Sequence, residues 1–276
     1  MTAGNVLDHH TRFEERIVGV GCHRIRVSVR HGSGVPVVLC NGLGAGLEIL
    51  GPIVESWNAG ATIVRFDVPG AGGSPSSLVP YGFPYLAWVV GRVLDALGFG
   101  VVDVVGYSWG GALAQQFALQ NPRRCRRLVL VATSTGAVSV PGSPRTLAKM
   151  LTRRRFDDAA WAAANVAELY GGTARPNAGA VAGLLGRQPR TTSRTGYLQQ
   201  LLAGALWTSL PMLPLIRQPV LVVAGTDDPI VPAVNARIMH RLLPHATLHM
   251  HSGGHIDVLT GAGEVVPVID AFLATG

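Results

Sequence analysis

Short runs of β-branched and apolar residues alternate along the chain with longer stretches whose apolar positions recur at helical spacing. "IRVSV" (25–29) alternates apolar and polar side chains, the pattern of a strand with one face in water. "VPVVLC" (35–40), "ATIVRF" (61–66), "VVDVVG" (101–106), "RLVLVAT" (127–133) and "PVLVVAG" (219–225) are almost wholly apolar. Strands covered on both faces read this way. "ATLHMH" (246–251) is the last expected strand, and helices are expected over 83–98, 109–120, 233–243 and 263–274. The alternation predicts an α/β fold with a mostly parallel central sheet and helices on both faces.

The alternation breaks over residues 138–214, which carry helical patterns and a Thr/Arg/Pro-rich piece but no buried-strand pattern. This predicts a helical lid or cap inserted into a core made of residues 1–137 and 215–276. Such an insertion would lie over the carboxyl ends of the strands, where open α/β sheets bind ligands.

Composition narrows the picture. Of 276 residues, 48% are hydrophobic and 14% charged, which provides for a large core and excludes a mainly disordered chain. The net charge of +7 comes from arginine almost alone, Lys149 being the one lysine. The runs "RRCRR" (123–127) and "RRR" (153–155) read as solvated basic surface, and no nucleic-acid-binding signature accompanies them. Three widely spaced cysteines suggest neither a disulfide framework nor a zinc site, and no metal or cofactor is expected. The N-terminal stretch is charged where a signal peptide is apolar, and no apolar run reaches the ~18 residues of a membrane span. A cytoplasmic protein is the expectation.

Candidate chemistry begins at "GYSWG" (106–110), between an expected buried strand and an expected helix. A nucleophile on a sharp strand-to-helix turn needs small residues two positions to each side, and Gly106 and Gly110 supply them around Ser108. The turn also sets the hydroxyl at the positive end of the following helix. A serine nucleophile needs a base. His255, in "SGGHID" just past the last strand, is the first choice and His251 the second. The base needs an orienting carboxylate. In "GTDDPIVP" (225–232) Asp228 is favoured, with Asp227 read as capping the turn. The chain order Ser, Asp, His is the one expected for a sheet of this type.

A tetrahedral intermediate needs amide donors. The N–H of Trp109, directly after the nucleophile, is one. The N–H of Leu43, in "CNGLGAG" (40–46), is the other, with Gly42 as the fallback. That Gly-rich loop lacks the lysine of a P-loop and the spacing of a dinucleotide site. In "FDVPGAGGS" (66–74), Asp67 is expected to fix the loop and to stay out of the chemistry.

At these residues the chain resembles the α/β-hydrolases, in the ordered motifs "NGLGAG", "FDVPGAGGS", "GYSWGG", "GTDDPIVP" and "GGH". Asn41-Gly42 stands where His-Gly is usual in the oxyanion loop. More narrowly it resembles the intracellular poly(3-hydroxyalkanoate) depolymerases, particularly those for medium-chain-length polyesters. The matching stretches include "NGLGAGLEIL", "PYGFPYLA", "SWGGALAQQFAL", "VPGSP", "GYLQQLLAG" and "WTSL", so the insertion shares the likeness. The resemblance implies an α/β-hydrolase fold. It implies a serine hydrolase that cleaves stored polyester or its oligomers to 3-hydroxy acids through an acyl-enzyme, in the cytoplasm at polymer inclusions. The partner implied is a hydrophobic polyester or acyl ester.

Asn41, Tyr170 and Trp207 are the expected substrate-binding residues. Trp161, Tyr197, Leu201, Leu202, Leu206 and Met212 either join them in an acyl pocket or form the lid's own core. The core motifs also suit a small-ester carboxylesterase, a thioesterase or a C–C bond hydrolase acting on an apolar acyl substrate. A dehalogenase or epoxide hydrolase would carry aspartate at position 108. The intact serine, acid and histidine set argues against a non-catalytic binding protein.

Overall fold

The structure is a computed structural model that describes residues 13–186 and 192–275. The expectations for the N-terminal stretch 1–12 and for residues 187–191 of the Thr/Arg/Pro-rich piece lie outside the described residues. Among the described residues, one eight-stranded sheet contains β1 (Phe13–Val20), β2 (His23–Arg30), β3 (Ser33–Cys40), β4 (Ala61–Phe66), β5 (Val102–Tyr107), β6 (Cys125–Val131), β7 (Val220–Gly225) and β8 (Ala246–His251). The strand order is β1-β2-β4-β3-β5-β6-β7-β8. β1 and β2 run antiparallel, and β3 to β8 pair in parallel.

The helices are α1 (Gly51–Glu55), α2 (Phe83–Leu97), α3 (Trp109–Gln120), α4 (Pro144–Met150), α5 (Arg154–Asp157), α6 (Ala159–Tyr170), α7 (Ala178–Gly186), α8 (Arg194–Ala205), α9 (Val234–Leu242), α10 (Asp257–Thr260) and α11 (Ala262–Ala274). The all-apolar strands are covered on both faces, as their composition predicts. In β5, Val102 and Val104 pack into one core with α2 and α3, while Val105 and Tyr107 face the opposite core with α1, α10 and α11. The period of two along a strand divides the residues in this way.

Two strands depart from the sequence reading. β1 carries no strand signal in the sequence, because only Val18 and Val20 of its eight residues are buried. It is an edge strand, and Glu14, Glu15 and Arg16 line it with exposed charge, a feature that disfavours edge-to-edge pairing. β2 was expected to be half exposed and is buried at every position but Arg24. Its polar residues are satisfied inside: Arg26 reaches Glu15, Glu48 and Asp67, and Arg30 donates to the carbonyls of Val54, Asn58 and Ala61.

The sheet's order turns back at β3, which lies between β4 and β5. The loops after β3 and β5 therefore open side by side at the carboxyl edge, at a topological switch point. Helices α4 to α8 fill the connection from β6 to β7 and come down on this edge. At Gly70 the approach is so close that a Cβ would lie 2.5 Å from the Cα of Gly196 in α8.

Candidate active site

Ser108 joins β5 to α3 with φ 55° and ψ −121°, a left-handed conformation that a side chain rarely adopts. Its neighbours explain how it is held. A Cβ on Gly106 would lie 2.6 Å from the carbonyl oxygen of Gly110, and one on Gly110 would lie 2.3 Å from the carbonyl oxygen of Cys40. α3 lies so close to β5 at Gly106, and to the end of β3 at Gly110, that only hydrogen fits at either position. The Ser108 N–H donates to the Val131 carbonyl at 2.9 Å and ties the turn to β6.

His255 Nε2 lies 2.9 Å from Ser108 Oγ, and His255 Nδ1 lies 2.7 Å from Asp228 Oδ2. As a carboxylate Asp228 can only accept, so Nδ1 carries the proton and Nε2 accepts from the Ser108 hydroxyl. Both partners of the Nδ1–H···Oδ2 hydrogen bond are buried, His255 at 3% exposure and Asp228 at 8%. The other Asp228 oxygen accepts from the N–H groups of Ile230 and Val231, each at 2.8 Å. The backbone of His255 is fixed from both sides. Its N–H donates to the Tyr170 carbonyl at 2.7 Å, and its carbonyl accepts from the Tyr107 hydroxyl at 3.1 Å. Burial pushes the Tyr107 and Tyr170 phenols above their ordinary range, so both remain neutral.

The second-choice candidates and Asp67 have other partners. Asp227 turns outward, where Arg175 forks it at 2.9 Å twice and the Gly172 N–H donates at 2.7 Å. These contacts hold its carboxyl below the usual carboxylate range. His251 Nδ1 accepts from the Gly253 N–H at 3.1 Å and shapes the loop that presents His255. Asp67 accepts from the N–H groups of Leu47 and Gly73, and so fixes its loop as expected.

The loop after β3 is braced residue by residue. The Gly42 carbonyl accepts from the Ala45 N–H, the Leu43 carbonyl from Arg155 Nη2 at 2.7 Å, and the Gly44 N–H donates to Gln200 Oε1 at 2.9 Å. No acceptor among the described residues takes the N–H of Leu43 or of Trp109. Leu43 and Ser108 line one cavity of about 30 Å³.

Tyr170 lines that cavity, its ring stacked 6.3 Å from the His255 ring. The expectations for Trp207 and Asn41 are corrected. Trp207 is buried against Phe83 at 5.0 Å and donates to Gln116 Oε1 at 2.7 Å, so it belongs to the core and not to the cavity wall. Asn41 Nδ2 faces the Phe66 carbonyl at 3.5 Å, its Oδ1 is buried without a partner, and the residue is not part of the cavity wall. Leu202 and Leu206 are exposed, in neither the cavity nor a lid core.

The reading of the arginine runs as solvated surface holds for Arg123 and Arg154 and is corrected for the others. In the first, Arg126 forks the buried Asp103, Arg124 pairs with Asp95 and Arg127 lies over the Phe272 ring. In the second, Arg155 is buried and lines the cavity, as does Phe156. Neither was legible as a site residue. Among the described residues no group of three His, Cys, Asp or Glu side chains is close enough to hold a metal ion, and no helix is long and apolar enough to cross a membrane.

A family model described as the alpha/beta hydrolase fold matches residues 35–262. The chain is 42% identical over 260 residues to the poly(3-hydroxyalkanoate) depolymerase of Ectopseudomonas oleovorans, covering 94% of this chain and 92% of that protein. It is 27% identical over 231 residues to a putative carbamate hydrolase of Azorhizobium caulinodans, covering 79% and 83%. Among solved structures, the enol-lactonase from Burkholderia xenovorans superposes with a TM-score of 0.81 over 94% of this chain and 99% of that one. At 23% identity that likeness concerns the fold.

Proposed function

The chain belongs to the α/β-hydrolase family, and on that premise we propose that it hydrolyses poly(3-hydroxyalkanoate) or its oligomers through a serine acyl-enzyme. The similarity to the Ectopseudomonas oleovorans depolymerase carries the substrate reading, because it runs through the cap as well as the core.

The geometry supports the route. Ser108 Oγ attacks the ester carbonyl as His255 Nε2 takes its proton, and Asp228 stabilises the imidazolium that results. The N–H groups of Leu43 and Trp109 receive the negative oxygen of the tetrahedral intermediate. Collapse expels the alcohol, which takes the proton back from His255. Water, activated by the same imidazole, then cleaves the acyl-enzyme and releases a 3-hydroxy acid.

Residues 138–214 act as the cap in this reading. A cavity of about 30 Å³ holds about two waters, whereas ligand pockets usually run to ~300–1,000 Å³. An acyl chain therefore enters by displacing cap helices from the strand edge.

The cap's outer face supports an insoluble apolar substrate. Leu198, Leu202 and Leu206 recur one helical turn apart on and just after α8 and are 66%, 40% and 77% exposed. Leu78 and Val79 stand exposed beside them, because Gln199 Nε2 binds the carbonyls of Ser77 and Val79. A contiguous exposed apolar patch is a mark of an interaction surface. We propose that it rests on the polymer, which would put the protein at polymer inclusions in the cytoplasm.

The test offers purified protein medium-chain polymer, short-chain polymer and p-nitrophenyl esters of graded length, with Ser108→Ala as control. Release of 3-hydroxy acids from polymer is expected, and none by the Ser108→Ala protein. Turnover of short soluble esters alone would favour a small-ester carboxylesterase and end the polyester reading.

A further inference from the structure

The third arginine of "RRR" is unlike its neighbours. Arg153 and Arg154 are paired with Asp157 and Asp158 across one helical turn. Arg155 is 3% exposed, lines the cavity beside Ser108 and has no carboxylate within ion-pair distance among the described residues. Its hydrogen-bond partners are neutral: the Leu43 carbonyl at 2.7 Å, the Tyr197 hydroxyl at 2.8 Å and Met150 Sδ at 3.1 Å. Its Cζ lies 4.5 Å from the centre of the Phe156 ring and 5.5 Å from that of the Tyr197 ring.

A guanidinium has five N–H groups. Two on Nη1 and one on Nη2 are engaged, which leaves Nε–H and one Nη2–H. Nε–H and Nη2–H form the fork that binds a carboxylate with two parallel hydrogen bonds. A buried cation without a counter-charge is costly, and an anionic ligand in the cavity offsets that cost where a neutral ester does not.

We infer that Arg155 binds the free carboxylate of a 3-hydroxyalkanoate oligomer, so that the enzyme cleaves the last ester bond at the acid end. The inference rests on the polyester reading and deepens it. In such an oligomer only one CH and one CH₂ separate the scissile ester oxygen from the terminal carboxylate. The protein offers a matching short reach: Leu43 gives its carbonyl to Arg155, and on the proposed route its N–H faces the oxyanion. The leaving group is then a 3-hydroxy acid monomer held by Arg155, and a polymer chain shortens from its carboxyl end. The class of reaction that consumes the product is one that activates a free 3-hydroxy acid.

The test compares kcat/KM for a dimer of 3-hydroxyoctanoic acid as the free acid and as the neutral primary amide. Wild type, Arg155→Gln and Arg155→Lys are measured, with release of the monomer as the readout. Wild type is expected to prefer the acid by about tenfold or more, chiefly through KM, as a charge-assisted fork implies. Arg155→Gln is expected to bring the ratio near one, and Arg155→Lys to keep part of it. The ratio is insensitive to a general loss of activity, so a purely structural Arg155 would lower both substrates together and overturn the inference. A wild-type ratio near one would overturn it without any variant, and with the polyester reading intact. Failure of wild type to cleave either dimer while it degrades polymer would overturn the inference alone, and failure on both dimers and polymer while p-nitrophenyl esters turn over would overturn both readings.

Discussion

Asp227 and Asp228 are adjacent in the chain and face opposite sides of one turn: Asp228 is buried against His255 at 2.7 Å, while Asp227 holds Arg175 at the surface. On the proposed route the two therefore separate chemistry from fastening. Asp228→Asn puts an amide where Nδ1–H needs an acceptor and is expected to lower kcat on the order of 10³–10⁴-fold. Asp227→Asn removes an exposed ion pair, with an expected stability change within about 1 kcal/mol and kcat within a few-fold. Ester hydrolysis and denaturant midpoints measure both. Equal losses of kcat in the two variants would contradict the assignment.

The crossing of β5 and α3 makes Gly106 a second test. An added methyl would stand 2.6 Å from Ala114 Cβ and from the Gly110 carbonyl oxygen, so helix and strand must separate. Gly106→Ala is expected to cost about 1–3 kcal/mol or more of stability. It should lower activity on the order of 10²-fold, because a small displacement of the nucleophile is enough. Gly100→Ala, whose methyl meets open space, serves as the control and should change neither. Urea unfolding and active-site titration give the two readouts.

These contrasts explain what was legible in the sequence. Ser108, Asp228 and His255 stand out because each sits in a local backbone device, a glycine-flanked elbow or a strand-end turn, that chain order alone reveals. Arg155 does not stand out, because its burial depends on Leu43, over a hundred residues away, and on Tyr197 in α8. Trp207 failed as a pocket residue for a related reason. An aromatic side chain in an insertion fills a core as readily as a cavity, and the partner that decided the matter, Gln116, lies in α3. The parallel strands were readable from apolar runs, whereas β1 is defined by pairing with β2 and not by its own pattern.

His251 makes stability depend on pH. Partial burial holds its pKa below the ordinary 6.5, against the pull of Asp257, Asp228 and Glu264, and its Nδ1 must stay unprotonated to accept from Gly253. The unfolded chain therefore binds the proton more readily than the folded one. The stability that His251 contributes is present above pH 6.5 and is lost as pH falls through the lower folded-state value. His251→Asn keeps an acceptor near the Gly253 N–H and does not titrate. Unfolding free energies of both proteins, measured from pH 7.5 downward, should show wild type losing ground to the variant as pH drops. Parallel curves would mean that His251 titrates alike in the folded and unfolded chain.

On the proposed reading, the exposed leucines of the cap separate surface attachment from catalysis. Leu198, Leu202 and Leu206 face away from the cavity, so changing them to serine leaves Ser108, His255 and Asp228 with the same partners. Burying a leucine fully against an apolar surface is worth about 1.5–3 kcal/mol, and partial contact with a rough polymer gives some fraction of that. Even ~0.5 kcal/mol from each of the three would sum to about a tenfold change in adsorption. The triple variant is therefore expected to lose about tenfold or more of its activity on suspended polymer relative to its activity on a soluble p-nitrophenyl ester. Binding to polymer particles, measured by sedimentation, should fall in step. If the ratio of the two activities is unchanged, the polymer meets the enzyme elsewhere, and the leucines at positions 198, 202 and 206 have another partner.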